Sequence, residues 1–282
     1  MGTDSASRER RTPKGGPLKS YINVDEPLSD LLTLSIVSHG HGEMVGQLLD
    51  DIAANSTLAG IRVVLTLNVP EPELPMDRWP QLDLDVRINA KPQGFGANHN
   101  RAFVNCSTPF FAVLNPDLRL PQDPFPGLLA CMDSDFQLAL VAPRIVDPQG
   151  TLEDSVRENL SLPSLLRRYL GSADKVQSGQ RARNSGFFWV AGMFMLVRCA
   201  DFAAVGGFDE RFHLYCEDYD LCARLVLSGR RISVADEVFA IHDARRDSRR
   251  SGRHLRWHIV SLIRVWVSPA FWRLALYRYT RP

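Results

Sequence analysis

Glu217, Asp218 and Asp220 stand close together, directly after a run that carries Phe208, Phe212 and Tyr215. A helix starting at about residue 217 puts Leu221, Cys222 and Leu225 three, four and seven positions beyond Asp218, on the same face. Asp218 then sits where a buried face opens outward, and a carboxylate so placed can take a proton from a hydroxyl. Glu217 and Asp220 point elsewhere, because neighbours on a helix are about 100° apart. The same acids would also complement the helix dipole and cap free amides, with Gly229 closing the helix.

A second acid ends the apolar run Phe110 to Leu114, in Asn115-Pro116-Asp117. An acid at the carboxyl end of a buried strand is well placed for Mg2+ or Mn2+, hard cations that take oxygen ligands and bridge diphosphate oxygens. Asn-Pro-Asp is also ordinary turn chemistry. His242 follows the strand-like runs Ile232 to Val234 and Val238 to Ile241; a lone His there is usually satisfied structurally, and as a ligand it would favour Mn2+ over Mg2+. His39 and His41 alternate with glycines and read as loop residues, since no acid follows at ligand spacing. In Gly94-Phe95-Gly96-Ala97-Asn98-His99-Asn100, two glycines permit close backbone approach to a ligand and a helix start offers free amides to an anion. A plain strand-to-helix turn has the same composition.

The elements that must hold these residues alternate. Leu32 to Ser38 reads as a strand, Val45, Leu48, Leu49 and Ile52 recur at helical spacing, and Ile61 to Leu67 is a second strand. Further strands are expected at 82–88, 110–114, 138–141 and 187–196, with a short helix near Leu128 to Met132. This is an α/β fold with a mostly parallel central sheet, in which ligands bind beyond the carboxyl ends of the strands. Residues 147–185 are expected to form part of a mobile acceptor-side cover. Trp189 could stack on a sugar or serve as a core aromatic.

Gly207-Phe208-Asp209-Glu210-Arg211-Phe212, then Tyr215 and Glu217-Asp218-Tyr219-Asp220-Leu221-Cys222, resembles the signature of inverting family 2 glycosyltransferases, in particular their rhamnosyltransferase-like branch. The resemblance runs from about Leu32 to His258. It implies a single GT-A domain, a Rossmann-like nucleotide-diphospho-sugar transferase fold, over residues 31–245. A disordered tail, 1–30, would precede it and a basic, aromatic helical extension, 246–282, would follow.

In that family the second acid of the Glu-Asp pair is the general base, here Asp218. Asp117 matches the metal-binding acid of an Asp-x-Asp motif in its Asn-Pro-Asp form, and Asn115 is left as a neutral contact with ribose or metal. His242 is spaced to close the metal site. The resemblance carries donor contacts to Ser38, His39, Asn68, Gly94, Gly96, Asn98 and Asn100, and acceptor-side roles to Trp189, Gly192 and Glu217. One departure stands out: Leu67-Asn68 replaces an Asp-Asn pair, so the carboxylate that helps read the nucleotide base is missing. The implied reaction is transfer from a nucleotide sugar, best dTDP-rhamnose, to a saccharide or lipid-linked acceptor in surface polysaccharide assembly. At a helix start Asp218 is expected to have a low pKa and to act as a weak base. Rival readings are another metal-dependent nucleotide-sugar enzyme, such as a nucleotidyltransferase, and a degenerate member that binds membrane.

Composition sets the outer limits. With 282 residues, 45% of them hydrophobic, the chain can bury a full core in one large domain or two small ones. With 33 basic against 32 acidic residues, nothing in the balance calls for a nucleic-acid partner. Five scattered cysteines without Cys-x-x-Cys spacing read as reduced, buried thiols. Without a signal peptide or an apolar run of about 20 residues, a cytoplasmic protein is expected. Arg245, Arg246, Arg249, Arg250, Arg253 and Arg256 precede Trp257, Ile259, Ile263 and Trp266, which suits either an element lying on a membrane surface or a helix docked on its own domain.

Overall fold

The structure, a computed structural model, describes residues 26–160, 186–243 and 252–276. Most of the expected tail, the larger part of the expected acceptor-side cover and the arginines from 245 to 250 lie outside these residues.

A short helix α1 (Leu28–Leu31) leads into β1 (Leu32–Ser38), followed by α2 (Gly42–Ala54), β2 (Arg62–Leu67), β3 (Asp83–Ile88) and α3 (Phe95–Phe103). Next come β4 (Phe110–Leu114), β5 (Leu118–Arg119), α4 (Phe125–Ser134) and β6 (Leu138–Val146). After them stand β7 (Val156–Glu158), β8 (Phe188–Val190), β9 (Phe194–Arg198), α5 (Cys199–Ala204), α6 (Glu217–Leu227) and β10 (Arg231–His242). Helices α7 (Gly252–Val267) and α8 (Pro269–Leu276) close the described chain. Eight strands form one sheet in the order β3-β2-β1-β4-β9-β6-β10-β5, mostly parallel, with β9 and β5 running against their neighbours. Strands β7 and β8 pair separately.

Strand alternation explains the two layers that cover this sheet. On β4, Phe110, Ala112 and Leu114 enter one hydrophobic cluster while Phe111 and Val113 enter the other, on the opposite face. On β1, Leu32, Leu34 and Ile36 join the first cluster, and the buried hydroxyl of Ser35 turns the other way to His99 on α3, at 2.8 Å. With both faces covered, the free carboxyl ends of β1, β2 and β4 are where the loops can form a site.

Two expected strands differ in their limits. The run 187–196 breaks into β8 and β9 at Ala191-Gly192-Met193, and the runs on either side of Asp236 and Glu237 fuse into β10, with a register shift between Ala235 and Phe239. Among the cysteines only Cys222 is fully buried, and the Sγ atoms of Cys106 and Cys199 lie 3.6 Å apart. The C-terminal helices dock: Val265, Phe271 and Leu274 share a cluster with Leu221 and Leu225 of α6.

Candidate functional site

Helix α6 begins abruptly. Tyr215 and Cys216 both have left-handed backbones, φ 74° and 66°, a costly pair for residues that carry side chains. That turn delivers Asp218 into a buried position, where Oδ2 accepts from the Gly192 amide at 3.0 Å and Oδ1 from the Tyr219 amide at 2.8 Å. Burial pushes the Asp218 carboxyl above the ordinary aspartate range, against the lowering field of Arg157 and the amides that donate to it. The low pKa expected from a helix start is thereby corrected: loss of solvent outweighs the helix-end dipole. A carboxylate whose pKa is raised in this way would bind a proton more tightly than an exposed aspartate.

Glu217 is buried as well, and Oε2 has no hydrogen-bond partner among the described residues. Burial, then the neighbouring charge of Asp218, push its carboxyl well up, so although its side chain was expected to point elsewhere the two acids share one electrostatic environment. An acid whose pKa is raised on folding loses its stabilising contribution as pH rises through the folded value. Glu217→Gln is therefore expected to melt higher than wild type at neutral pH, by about 2–4 °C for each kcal/mol relieved. The gap should close as pH is lowered toward the ordinary glutamate range, which melting curves across pH would test.

Trp189 takes the second of its two readings. It is buried, its indole N–H donates to the Glu158 carbonyl at 2.8 Å, and the Arg157 guanidinium lies over its ring at 5.0 Å. It stands in the core, with its ring beneath Arg157. A Cβ on Gly192 would lie 3.3 Å from the Phe95 ring, which would have to give by a few tenths of an ångström, and in ordinary contact with the Asp218 Cβ at 3.7 Å.

The other acid stands across the joint between β8 and β9. The Asn115 amide donates to the Met193 carbonyl at 2.9 Å, so residues 192 and 193 hold Asp218 and the Asn115-Pro116-Asp117 turn side by side. The Asp243 amide donates to the Asp117 carbonyl at 2.8 Å, bringing in the end of β10. His242 Nε2 is 3.2 Å from Asp117 Oδ2, and Nδ1 is 3.3 Å from Glu153 Oε2. Burial alone would lower the His242 pKa, but the hydrogen bonds and charges of Asp117 and Glu153 raise it overall.

Among the described residues no group of three His, Cys, Asp or Glu side chains is placed to hold a metal by itself. Asp117 Oδ1, however, is buried with no partner, and Asp117 Oδ2 lies 3.2 Å from His242 Nε2, so a carboxylate and an imidazole stand together there. These two side chains are of types that would hold a divalent cation. Glu153, which orients His242, was not recognised in the sequence, because nothing in its neighbourhood marks it as a partner of a residue so far along the chain.

The expected donor loop serves a different purpose in part. A Cβ on Gly94 would meet the His213 carbonyl oxygen at 2.7 Å, and one on Gly96 would meet the Phe208 Cβ at 2.6 Å. The close approach that requires these glycines is to the turn ahead of α6. Asn100 clasps the same turn, accepting from the Phe208 amide and donating to the Phe208 carbonyl, both at 2.8 Å. His99 is buried, and loss of solvent takes its pKa down to about 3, so it is neutral.

Asn68 is a brace: it donates to His39 Nδ1 and the Gln93 carbonyl and accepts from the Gln93 amide and Asn89, which in turn donates to Asn98. His39 has its pKa lowered by burial and then by His41. A carboxylate does reach this end of the sheet, from Glu71 instead of position 67. Its Oε2 accepts from Ser38 Oγ at 2.8 Å, its Oε1 is buried without a partner, and it borders a cavity of about 680 Å³ beside Gly40, Gly42, Arg78 and Trp79. Only the fold brings Glu71 to Ser38.

Comparison with known proteins gives a family, two sequence relatives and two solved structures. The sequence profile described as glycosyl transferase family 21 matches residues 76–273. Rhamnosyltransferase WbbL of Escherichia coli (strain K12) is 29% identical over 245 residues, spanning 83% of this chain and 92% of its own length. The N-acetylglucosaminyl-diphospho-decaprenol L-rhamnosyltransferase of Mycobacterium tuberculosis (strain ATCC 25618 / H37Rv) is 28% identical over 163 residues, 52% of this chain and 51% of that protein. Among solved structures, the mannosyltransferase PcManGT from Pyrobaculum calidifontis in complex with GDP-Man and Mn2+ superposes with a TM-score of 0.57 at 14% identity, over 86% of this chain and 67% of that one. GalNAc-T7 with UDP, GalNAc and Mn2+ gives 0.59 at 12% identity, over 77% and 44%. These similarities show the GT-A fold.

Proposed function

Because this chain belongs to glycosyl transferase family 21, with the family 2-type domain its signature resembles, it is a glycosyltransferase, and we propose that it transfers L-rhamnose from dTDP-rhamnose with inversion. The acceptor is a saccharide or lipid-linked saccharide in bacterial surface polysaccharide synthesis, met at the inner face of the cell membrane. The observation that carries this reading is the joint at Gly192 and Met193, which sets a buried, basic carboxylate beside the Asp117 and His242 pair. The names of the Escherichia coli and Mycobacterium tuberculosis relatives support the sugar, and the diphospho-decaprenol in the latter's name supports a lipid-linked acceptor.

In this reading Asp218 accepts the proton of the acceptor hydroxyl as its oxygen bonds to the anomeric carbon. The bond from that carbon to the diphosphate breaks on the opposite face, inverting configuration and releasing dTDP. Its raised pKa keeps Asp218 an effective base, while Gly192 and Tyr219 fix the direction of its lone pairs. Asp117 and His242 would hold Mg2+ or Mn2+, which offsets charge on the departing diphosphate when bound; Mn2+ in the solved relatives supports that choice. Ser38, His39 and Glu71 face the nucleoside end.

Calorimetry with dTDP, UDP and GDP, with and without Mn2+, tests the donor. Metal-dependent binding that selects dTDP is the expected result. A preference for UDP would discard the sugar and keep the mechanism, and binding of none would overturn the reading.

A further inference from the structure

Nine large hydrophobic side chains are exposed among the described residues, and six of them lie together on the C-terminal helices: Leu255, Ile259, Val260, Ile263, Val267 and Trp272. Four follow one another at steps of four along α7, which makes a stripe on one side of the helix. The opposite side is engaged. Ser261 Oγ donates to the Leu214 carbonyl at 3.0 Å, His254 Nδ1 lies 2.8 Å from the Tyr215 hydroxyl, and the His258 ring stacks on Tyr215 at 3.4 Å. Helix α7 therefore props the strained turn that delivers Asp218, and α8 packs on α6 itself. Helix α7 is thus docked on one side, as one of its two readings expected, and exposes apolar side chains on the other.

We propose that this outer stripe rests on an anionic lipid surface, with α7 lying in the plane of the headgroups. The proposal deepens the functional reading above by naming the surface from which that reading's lipid-linked acceptor is taken. Length decides between lying and crossing: 16 helical residues span about 24 Å, short of a hydrocarbon core of about 30 Å. No helix among the described residues is long and apolar enough to cross a membrane. Charge decides between lipid and a second copy. Helices α7 and α8 contain no Asp or Glu, while Arg256 and Arg273 are exposed beside the stripe. Two copies meeting through this face would bring like charges together, whereas anionic headgroups complement them. Trp272 is held by its indole N–H on the Trp266 carbonyl at 2.8 Å, with its ring exposed, the disposition of an interfacial tryptophan.

The test is co-sedimentation of the full-length chain with vesicles of phosphatidylcholine alone or mixed with phosphatidylglycerol. Wild type should sediment with the mixed vesicles and much less with phosphatidylcholine, and the double variant Ile259→Asp, Ile263→Asp should bind the mixed vesicles at least ten-fold more weakly. Circular dichroism and dTDP calorimetry on that variant report whether the fold is intact. Independently of any folding defect, brominated lipid should quench wild-type fluorescence and quench Trp272→Phe less.

Equal binding of wild type and a folded double variant, no binding by either, or equal quenching would overturn the proposal. So would a dimer in sedimentation velocity that the same variant dissociates without any vesicle binding. Vesicle binding needs no turnover, so a chain that binds lipid but no nucleotide would overturn the proposed rhamnosyl transfer and leave this surface standing.

Discussion

Asp218→Asn is expected to lower kcat by a factor of about 10² to 10⁴, the usual contribution of a positioned general base. The asparagine keeps the shape of the side chain and its oxygen can still accept from one of the two amides at Gly192 and Tyr219. The helix start should therefore persist and nucleotide affinity should stay close to wild type. A drop in kcat with unchanged dTDP binding is the signature of a group that acts on the acceptor proton in the transition state. The pH profile gives a second readout. The base works only when deprotonated and burial raises its pKa, so the acid limb of kcat/KM should lie above the ordinary aspartate range. An acid limb at the ordinary aspartate value, or near-normal turnover by the variant, would remove Asp218 from the role of base.

Asp117→Ala is expected to act on binding first. With Mn2+ present, affinity for dTDP should fall by about 100-fold or more, since loss of an outer-sphere partner alone costs a metal site about 10–100-fold. In a chelator the order should level or reverse, because alanine removes a negative charge from beside the diphosphate. That crossover separates a metal-holding role from a merely structural one: a turn residue would weaken binding equally with and without metal. Asp117 Oδ1 is buried and lacks a partner, and the Glu153 carboxylate is already engaged with His242.

The helix beginning at Glu217 was legible because its signals are local. Spacing of apolar residues, acids in the first turn and Gly229 beyond the last turn all lie within one element, and they determine where Asp218 stands on its face. The apolar run that ends at Asn115-Pro116-Asp117 was legible for the same reason, as was the alternation of strands and helices that makes an α/β sheet. The signature around Gly207 to Cys222 also carried the family, because its residue types and spacing are local features of the sequence.

Tertiary structure decided what each of these residues meets. Gly94, Gly96 and Asn100 were expected at the donor, yet their tightest contacts are with a turn more than a hundred residues later, and no spacing in the chain encodes that distance. Glu71 and Glu153 escaped notice because a carboxylate in a loop is ordinary until folding places it against Ser38 or His242. The sign of the Asp218 pKa shift changed because a helix dipole can be read from sequence, whereas the loss of water around a carboxylate depends on everything packed over it. The amphipathic pattern of α7 could be read in advance; which side of it faces the protein was determined by the docking of Tyr215, Phe271 and Leu274.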